Sequence, residues 1–325
     1  MRIHSFTVFI AVILWPLFVA IPGFSLLGAD QLDFGKIKAQ ASQGDAEAQF
    51  ELGRAYQRGE GVPQDFTQAI DLYRKAAAKG NAKAMHNLGY LYHVGQGVKA
   101  DPAQSLNWYR RGAEHGAVRS QETLGYYYLR GVGGVTREPA TAAQWFQKAA
   151  EQGSVDAQCE LGLLYFSGDT GVKKDYAAAA KWLTQAAQQE DDSAENALGV
   201  MNEQGFGMPV DGKQAIIWFT KAVEKGNTQA QWNLGRIYFE GTVVKRDPVQ
   251  GYMYLKIASD RGNVMAKRLL EEYVNGKALT SEQVAEGDRR VKEYEAKNPA
   301  KTSVDAASDA TLTPSPSPGQ NLPGH

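Results

Sequence analysis

A Leu-Gly pair returns at a nearly fixed interval along this chain of 325 residues: Leu52-Gly53, Leu88-Gly89, Leu124-Gly125, Leu161-Gly162, Leu198-Gly199 and Leu234-Gly235. The steps are 36, 36, 37, 37 and 36 residues. A period of this length means one supersecondary unit copied in tandem, each copy resting on its neighbours. A seventh, degenerate unit starts after Gly262 and puts Leu270 in register without the glycine.

Each unit reads as two helices. In the first unit, residues 44–80, Ala48, Leu52 and Tyr56 share one helical face. Gly59-Glu60-Gly61 breaks that helix. Ala69, Leu72, Tyr73, Ala76 and Ala77 give the apolar stripe of the second. An acid opens each second helix, at Asp65, Asp101, Glu138, Asp175, Asp211 and Asp247, with Pro102, Pro139 and Pro248 at the first helical position. Gly80, Gly116, Gly153, Gly226 and Gly262 close it, and Asn81, Ser154, Asn227 or Asn263 caps the next helix. One helix pair cannot cover its own apolar face, but a stack of pairs can. The prediction is an all-α fold, an α/α solenoid of helix-turn-helix repeats.

The A-x-x-x-L-G-x-x-Y of the first helix, the G-x-G-V turn and the W/Y-[YFL]-x-K-A-A of the second carry a family resemblance. The last is seen at Leu72–Ala77, Trp108–Ala113, Trp145–Ala150, Trp182–Ala187 and Trp218–Val223. Over about residues 40–296 the chain resembles the Sel-1-like repeat family, a branch of the tetratricopeptide-like solenoids. The resemblance implies a right-handed superhelix whose first helices line a concave groove for a partner. It is specific for fold and weak for function, because such solenoids serve many partners.

Several positions depart from the pattern. Asn202 replaces the tyrosine of unit five, Glu190-Asp191-Asp192 replaces the glycine before it, unit four inserts Asp169-Thr170, and unit six has Val243 for its second turn glycine. The joint between units four and five is therefore expected to be the weakest stack. The solenoid is expected over 44–279 after a lead-in at 30–43. A polar capping helix is expected over 280–296, with Thr280 and Gln283 as its capping box.

Both ends read differently from the array. Residues 1–29 hold Arg2 and His4, an uncharged apolar run from Phe6 to Ala20, a break at Pro22-Gly23 and small residues to Ala29. This is the pattern of an export signal, cleaved after Ala29 or after Ser25. The rival reading is an uncleaved anchor, because the run from Phe6 to Leu27 is about long enough to span a bilayer. Membrane contact is expected only in that case. The expected location is periplasmic or secreted, or inner-membrane anchored with a periplasmic solenoid. Residues 297–325 are rich in Pro, Ser and Thr with few large apolar residues, and read as a disordered tail.

Charge and motif content exclude several functions. Lys plus Arg is 35 against 36 for Asp plus Glu, so no basic surplus points to nucleic acid. The single Cys159 cannot build a disulfide or a cysteine zinc site. The G-x-G turns follow helices rather than strands, and no phosphate-binding motif continues from them. The repeated acids share the repeat period and read as caps. His86 and His93 share a face, but no further ligands accompany them. Some cysteine-rich members of the family are linked to β-lactam binding or hydrolysis. This chain lacks their paired cysteines and has no S-x-x-K or G-x-S-x-G motif. No cofactor, metal or catalytic site is therefore expected, and the chain reads as a non-enzyme.

The resemblance leaves one stripe of each first helix facing the groove, at i, i+4 and i+7. Its candidate partner-binding residues are Phe50 and Arg54; His86, Tyr90 and His93; Glu122 and Tyr126; Leu163 and Phe166; and Trp232, Arg236 and Phe239. The same stripe holds Gln57, Leu129, Cys159, Asn196, Val200 and Glu203. Aromatics and Arg anchor protein interfaces. The opposing reading is that tight curvature buries these side chains between repeats. The expected function is an exported scaffold or adaptor that binds a protein or peptide, in one form as an envelope regulator. A cell-wall or β-lactam hydrolase and a secreted host-interaction factor are the alternatives.

Overall fold

The computed structural model describes residues 34–298. The expected leader and almost all of the expected tail lie outside those residues. α1 (Phe34–Ser42) leads in. Six pairs follow: α2 (Ala46–Arg58) with α3 (Phe66–Ala78), α4 (Ala82–Val94) with α5 (Pro102–Glu114), α6 (Val118–Arg130) with α7 (Pro139–Glu151), α8 (Val155–Ser167) with α9 (Tyr176–Gln188), α10 (Asp192–Gln204) with α11 (Gly212–Glu224), and α12 (Thr228–Glu240) with α13 (Pro248–Asp260). Then come α14 (Val264–Asn275) and α15 (Ser281–Lys297). The fold is an all-α solenoid. Among the described residues the one β-bridge joins Asp169 to Val172, where unit four carries its insertion.

The Leu-Gly period has a steric cause. A Cβ on Gly53, Gly89, Gly125, Gly162, Gly199 or Gly235 would come within 2.5–2.8 Å of Tyr73, Tyr109, Phe146, Leu183, Phe219 or Leu255 on the second helix. Only glycine lets the pair close so far. Tyr73, Phe146 and Phe219 are fully buried there, beside Leu88, Leu124, Leu161, Leu198 and Leu234. The tryptophans of α5, α7, α9 and α11 each pack half-buried against the core of the preceding unit.

Caps form as the sequence predicts, with one exception. Asp65, Asp101, Asp175, Asp211 and Asp247 accept backbone N–H groups of the second helices. Glu138 accepts none. Its side chain is one methylene longer and takes the hydroxyls of Thr136 and Thr141 instead. At the joint between units four and five, Asp191 caps α10, and Glu190 adopts the left-handed φ of 67° that glycine adopts elsewhere. Phe166, Tyr176 and Phe206 pack edge-on and stacked at 4.8–5.7 Å across this joint. The joint expected to be weakest thus carries an aromatic cluster of its own.

Two features tie the array, one within units and one between them. The residue after the second helix reaches the fourth residue of the first: Gln152 donates to Gln121 at 2.7 Å, Gln189 to Gln158 at 2.9 Å, and Lys225 to Glu195 at 2.6 Å. The second turn glycine receives the start of the preceding second helix, Phe66 on Gly97 and Tyr176 on Gly207. Unit six reverses the sizes, so Val243 sits against Gly212. The substitution of that turn glycine is thereby matched across the joint.

The array ends asymmetrically. α1 stands where a second helix would, since Gln49 donates to the Ala41 carbonyl as Gln121 does to Ala113 and Gln158 to Ala150. At the other end Glu271 holds the register of the Leu-Gly glycine, so no second helix closes on α14. The chain turns back, and α15 lies on α13. Val291 covers Met253 and Ile257, and the Tyr252 hydroxyl donates to Asp288 at 2.9 Å. Asp71 and Lys75 occupy the equivalent positions of α3 and are exposed. The capping box of Thr280 and Gln283 is formed. No helix among the described residues is long and apolar enough to cross a membrane.

Candidate partner-binding face

First helices approach one another across units, α8 to α10 and α12 to α14, more closely than any two second helices do. Side-chain hydrogen bonds follow the same line. The Asn233 amide donates to Asn196 at 2.9 Å, Ser154 to Glu122 at 2.5 Å, and Arg236 to both oxygens of Glu203 at 2.6 and 2.8 Å. The first helices therefore line the inner side of the curve.

Counting from its first residue, each of these helices offers positions five, nine and twelve to that side, and the three differ in burial. At position five, Phe50 is 6% exposed and packs on Tyr73. His86 is largely buried, its ring 5.3 Å from Tyr109 and its Nδ1 3.1 Å from Ser120 Oγ of the next unit. Burial, reinforced by Arg119, pushes its pKa down to about 4. Glu122 is half-buried, and Cys159 and Asn196 are buried. Trp232 is half-buried, and its indole N–H is buried without a partner. At position twelve, Phe166 and Phe239 are buried, the latter stacked on Tyr273 at 3.4 Å. His93 is exposed, with Nδ1 3.3 Å from the Tyr127 hydroxyl.

The outward stripe expected from sequence is thus corrected at Phe50, Phe166 and Phe239. Their rings fill gaps between helices, as the opposing reading held. Position nine behaves differently. Arg54, Tyr90, Tyr126, Leu163, Val200 and Arg236 are all half-buried, and they run through every complete unit as one open row. Arg54 pairs with Glu51 at 2.7 Å. The Tyr126 ring meets Phe146 edge-on at 5.1 Å, with the Arg130 guanidinium 5.3 Å from its centre.

The sequence reading named Glu122 but passed over Glu160 beside this row. Glu160 is 7% exposed on α8. Burial first, then Asp156 and Asp191, raise its pKa to about 7 against the opposing pull of Arg130 and a hydrogen bond from Tyr126. Burial also raises Glu122 and Asp191. The Cys159 thiol beside Asp191 is pushed well up by the same cause, which leaves it protonated and unreactive. A tally of charge on first helices alone is the signal that finds Glu160. No group of three His, Cys, Asp or Glu among the described residues is placed to hold a metal ion.

A family model described as Sel1 repeat matches residues 46–81, 82–116, 118–154, 155–191, 192–227 and 228–263. The fold is similar to a protective antigen present in uropathogenic Escherichia coli strains that displays an SLR fold. The identity is 31%, the TM-score 0.66 and the coverage 84% of this chain. The chain spans only 62% of the length of that antigen. It is also similar to a Sel1 repeat protein from Oxalobacter formigenes, at 30% identity and TM-score 0.62, covering 70% of this chain and 92% of that one. No curated protein matches the chain.

Proposed function

Because the chain belongs to the Sel1 repeat family, whose members generally act as protein–protein interaction scaffolds, we propose that it is a non-enzymatic adaptor holding an extended segment of a partner protein along the position-nine row. The row itself is the observation that carries this reading. It is continuous, partly exposed and mixed aromatic, aliphatic and cationic, and Phe50, Phe166 and Phe239 beside it are locked by packing. A preformed surface lowers the ordering cost of binding. Aromatic and Arg side chains in such a setting are the usual anchors.

The leader-like N-terminus supports export of the adaptor to a bacterial envelope. N-terminal sequencing of the protein from cell fractions tests this. A mature chain starting at Asp30 or Leu26 in the periplasmic fraction agrees with it, and an intact Met1 in the cytosol opposes it. Similarity to a protective antigen favours a second reading, a secreted factor that meets host proteins. Recovery of the mature chain from culture medium would select it.

The binding claim is tested by crosslinking and mass spectrometry with wild type and a Tyr90→Ala/Leu163→Ala variant shown to be equally folded by circular dichroism. The expected outcome is a partner lost from the variant. An unchanged partner list refutes the row as the binding surface.

A further inference from the structure

Charge is divided unevenly along the inner face. α4 and α6 carry Lys83, Arg119 and Arg130 against the single acid Glu122. α8 and α10 carry Asp156, Glu160, Asp192, Glu195 and Glu203 with no Lys or Arg. Where an acid is buried further along, the chain supplies its own cation: Lys225 to Glu195 and Arg236 to Glu203, both at 2.6 Å. Between α6 and α10 that provision stops. Glu122, Asp156, Glu160 and Asp191 form no ion pair among the described residues, although Glu160 is more than nine-tenths buried.

The surroundings of Glu160 are specific. From α6, the Tyr126 hydroxyl and Arg130 both favour its charged form, Arg130 only from beyond ion-pair distance, its guanidinium over the Tyr126 ring. Asp156 on α8 and Asp191 at the start of α10 face it with like charge. A carboxylate buried without a cation and faced by like charges, as Glu160 is, is destabilised until a cation arrives. Next to them Tyr126 and Leu163 remain partly exposed. An aromatic face attracts a cation, and an aliphatic surface takes the methylene stem behind it. A bare metal ion fits poorly, since no three ligating groups converge.

We propose that the inner face over α6, α8 and α10 takes a lysine- or arginine-bearing segment of a partner protein. The cationic head sits among Glu122, Asp156 and Glu160, and its stem lies on Tyr126 and Leu163. This rests on the adaptor reading above and adds the chemistry of the occupant. It also sets the register, with the basic part of the segment lying over units three to five.

Fluorescence anisotropy with short labelled peptides tests it. The probes are Gly-Ser-Leu peptides bearing several lysines, with glutamine and glutamate replacements as controls. The lysine peptide is expected to bind with an affinity that falls as salt rises. A Glu122→Gln/Asp156→Asn/Glu160→Gln variant is expected to bind it about tenfold more weakly. These near-isosteric changes break no ion pair, and only Glu160 of the three is buried, so the variant should melt no lower than wild type. Full affinity in the variant, equal binding of the glutamine peptide, or no lysine-peptide binding near millimolar concentration overturns the proposal. With the native partner the two ideas separate. Loss on Tyr90→Ala/Leu163→Ala but not on the charge variant leaves the adaptor reading standing and removes this one. Indifference to both removes both.

Discussion

Unit five offers a controlled experiment on buried charge, because its neighbours perform the same task without charge. In units three and four a glutamine after the second helix donates to a glutamine on the first. In unit five the same two positions are Lys225 and Glu195. Glu195 is 2% exposed, and its second carboxylate oxygen has no hydrogen-bond partner, whereas the Lys225 side chain keeps 31% of its exposure. Lys225→Gln leaves the carboxylate buried without its cation. Breaking a wholly buried pair costs about 3–5 kcal/mol. The part-exposed lysine brings the expected loss down to about 2 kcal/mol, or roughly 4–8 °C in melting temperature for a chain of this size. Glu195→Gln should cost less, because the freed ammonium can swing to water. The double variant restores the neutral pair of units three and four and should recover most of the loss, a coupling of about 2 kcal/mol. Urea and thermal melts followed by circular dichroism, fitted with nearest-neighbour coupling between units, provide the cycle. A neutral Lys225→Gln, or a double variant no better than that single, would refute the reasoning.

Further outcomes follow from single positions. Burial keeps Glu160 protonated in the folded chain up to about 7, against an ordinary value of 4.5. Between these values the folded state holds the extra proton, so stability falls as pH rises, by about 3 kcal/mol at most. Glu160→Gln should flatten that slope in urea melts from pH about 4.5 to about 7.5. Glu190 sits at φ 67° in a glycine position, and Glu190→Gly should raise stability by about 0.5–1 kcal/mol in thermal melts. Gly212→Phe should overpack against Val243 at a cost of about 1–3 kcal/mol. Adding Val243→Gly should recover it, because the pair then matches Phe66 on Gly97, and melting of the single and double variants reads this directly.

The solenoid was legible because its signals are local. Gly53 and its counterparts, the Asp caps and the closing glycines each report a backbone requirement within one unit. Glu138 failed as a cap because a propensity for acids does not measure side-chain length. The binding face was only partly legible. Helical period places Phe50, Phe166 and Phe239 on the inner side, but their burial depends on Tyr73, Phe206 and Tyr273, which lie outside that stripe. In sequence Asp191 is a departure from a glycine pattern, and the like charge it turns on Glu160 through space has no period to announce it.

The reversal at Glu271 and α15 also bears on how such an array can lengthen. A copied stretch of about one period inserted among the first five units meets matching surfaces on both sides. Unit six cannot be copied so freely, because Met253 and Ile257 need α15 over them and Val243 needs Gly212 before it. Unit six, α14 and α15 thus form a single terminating cassette. Duplication upstream would carry it along unchanged at the end of a longer chain.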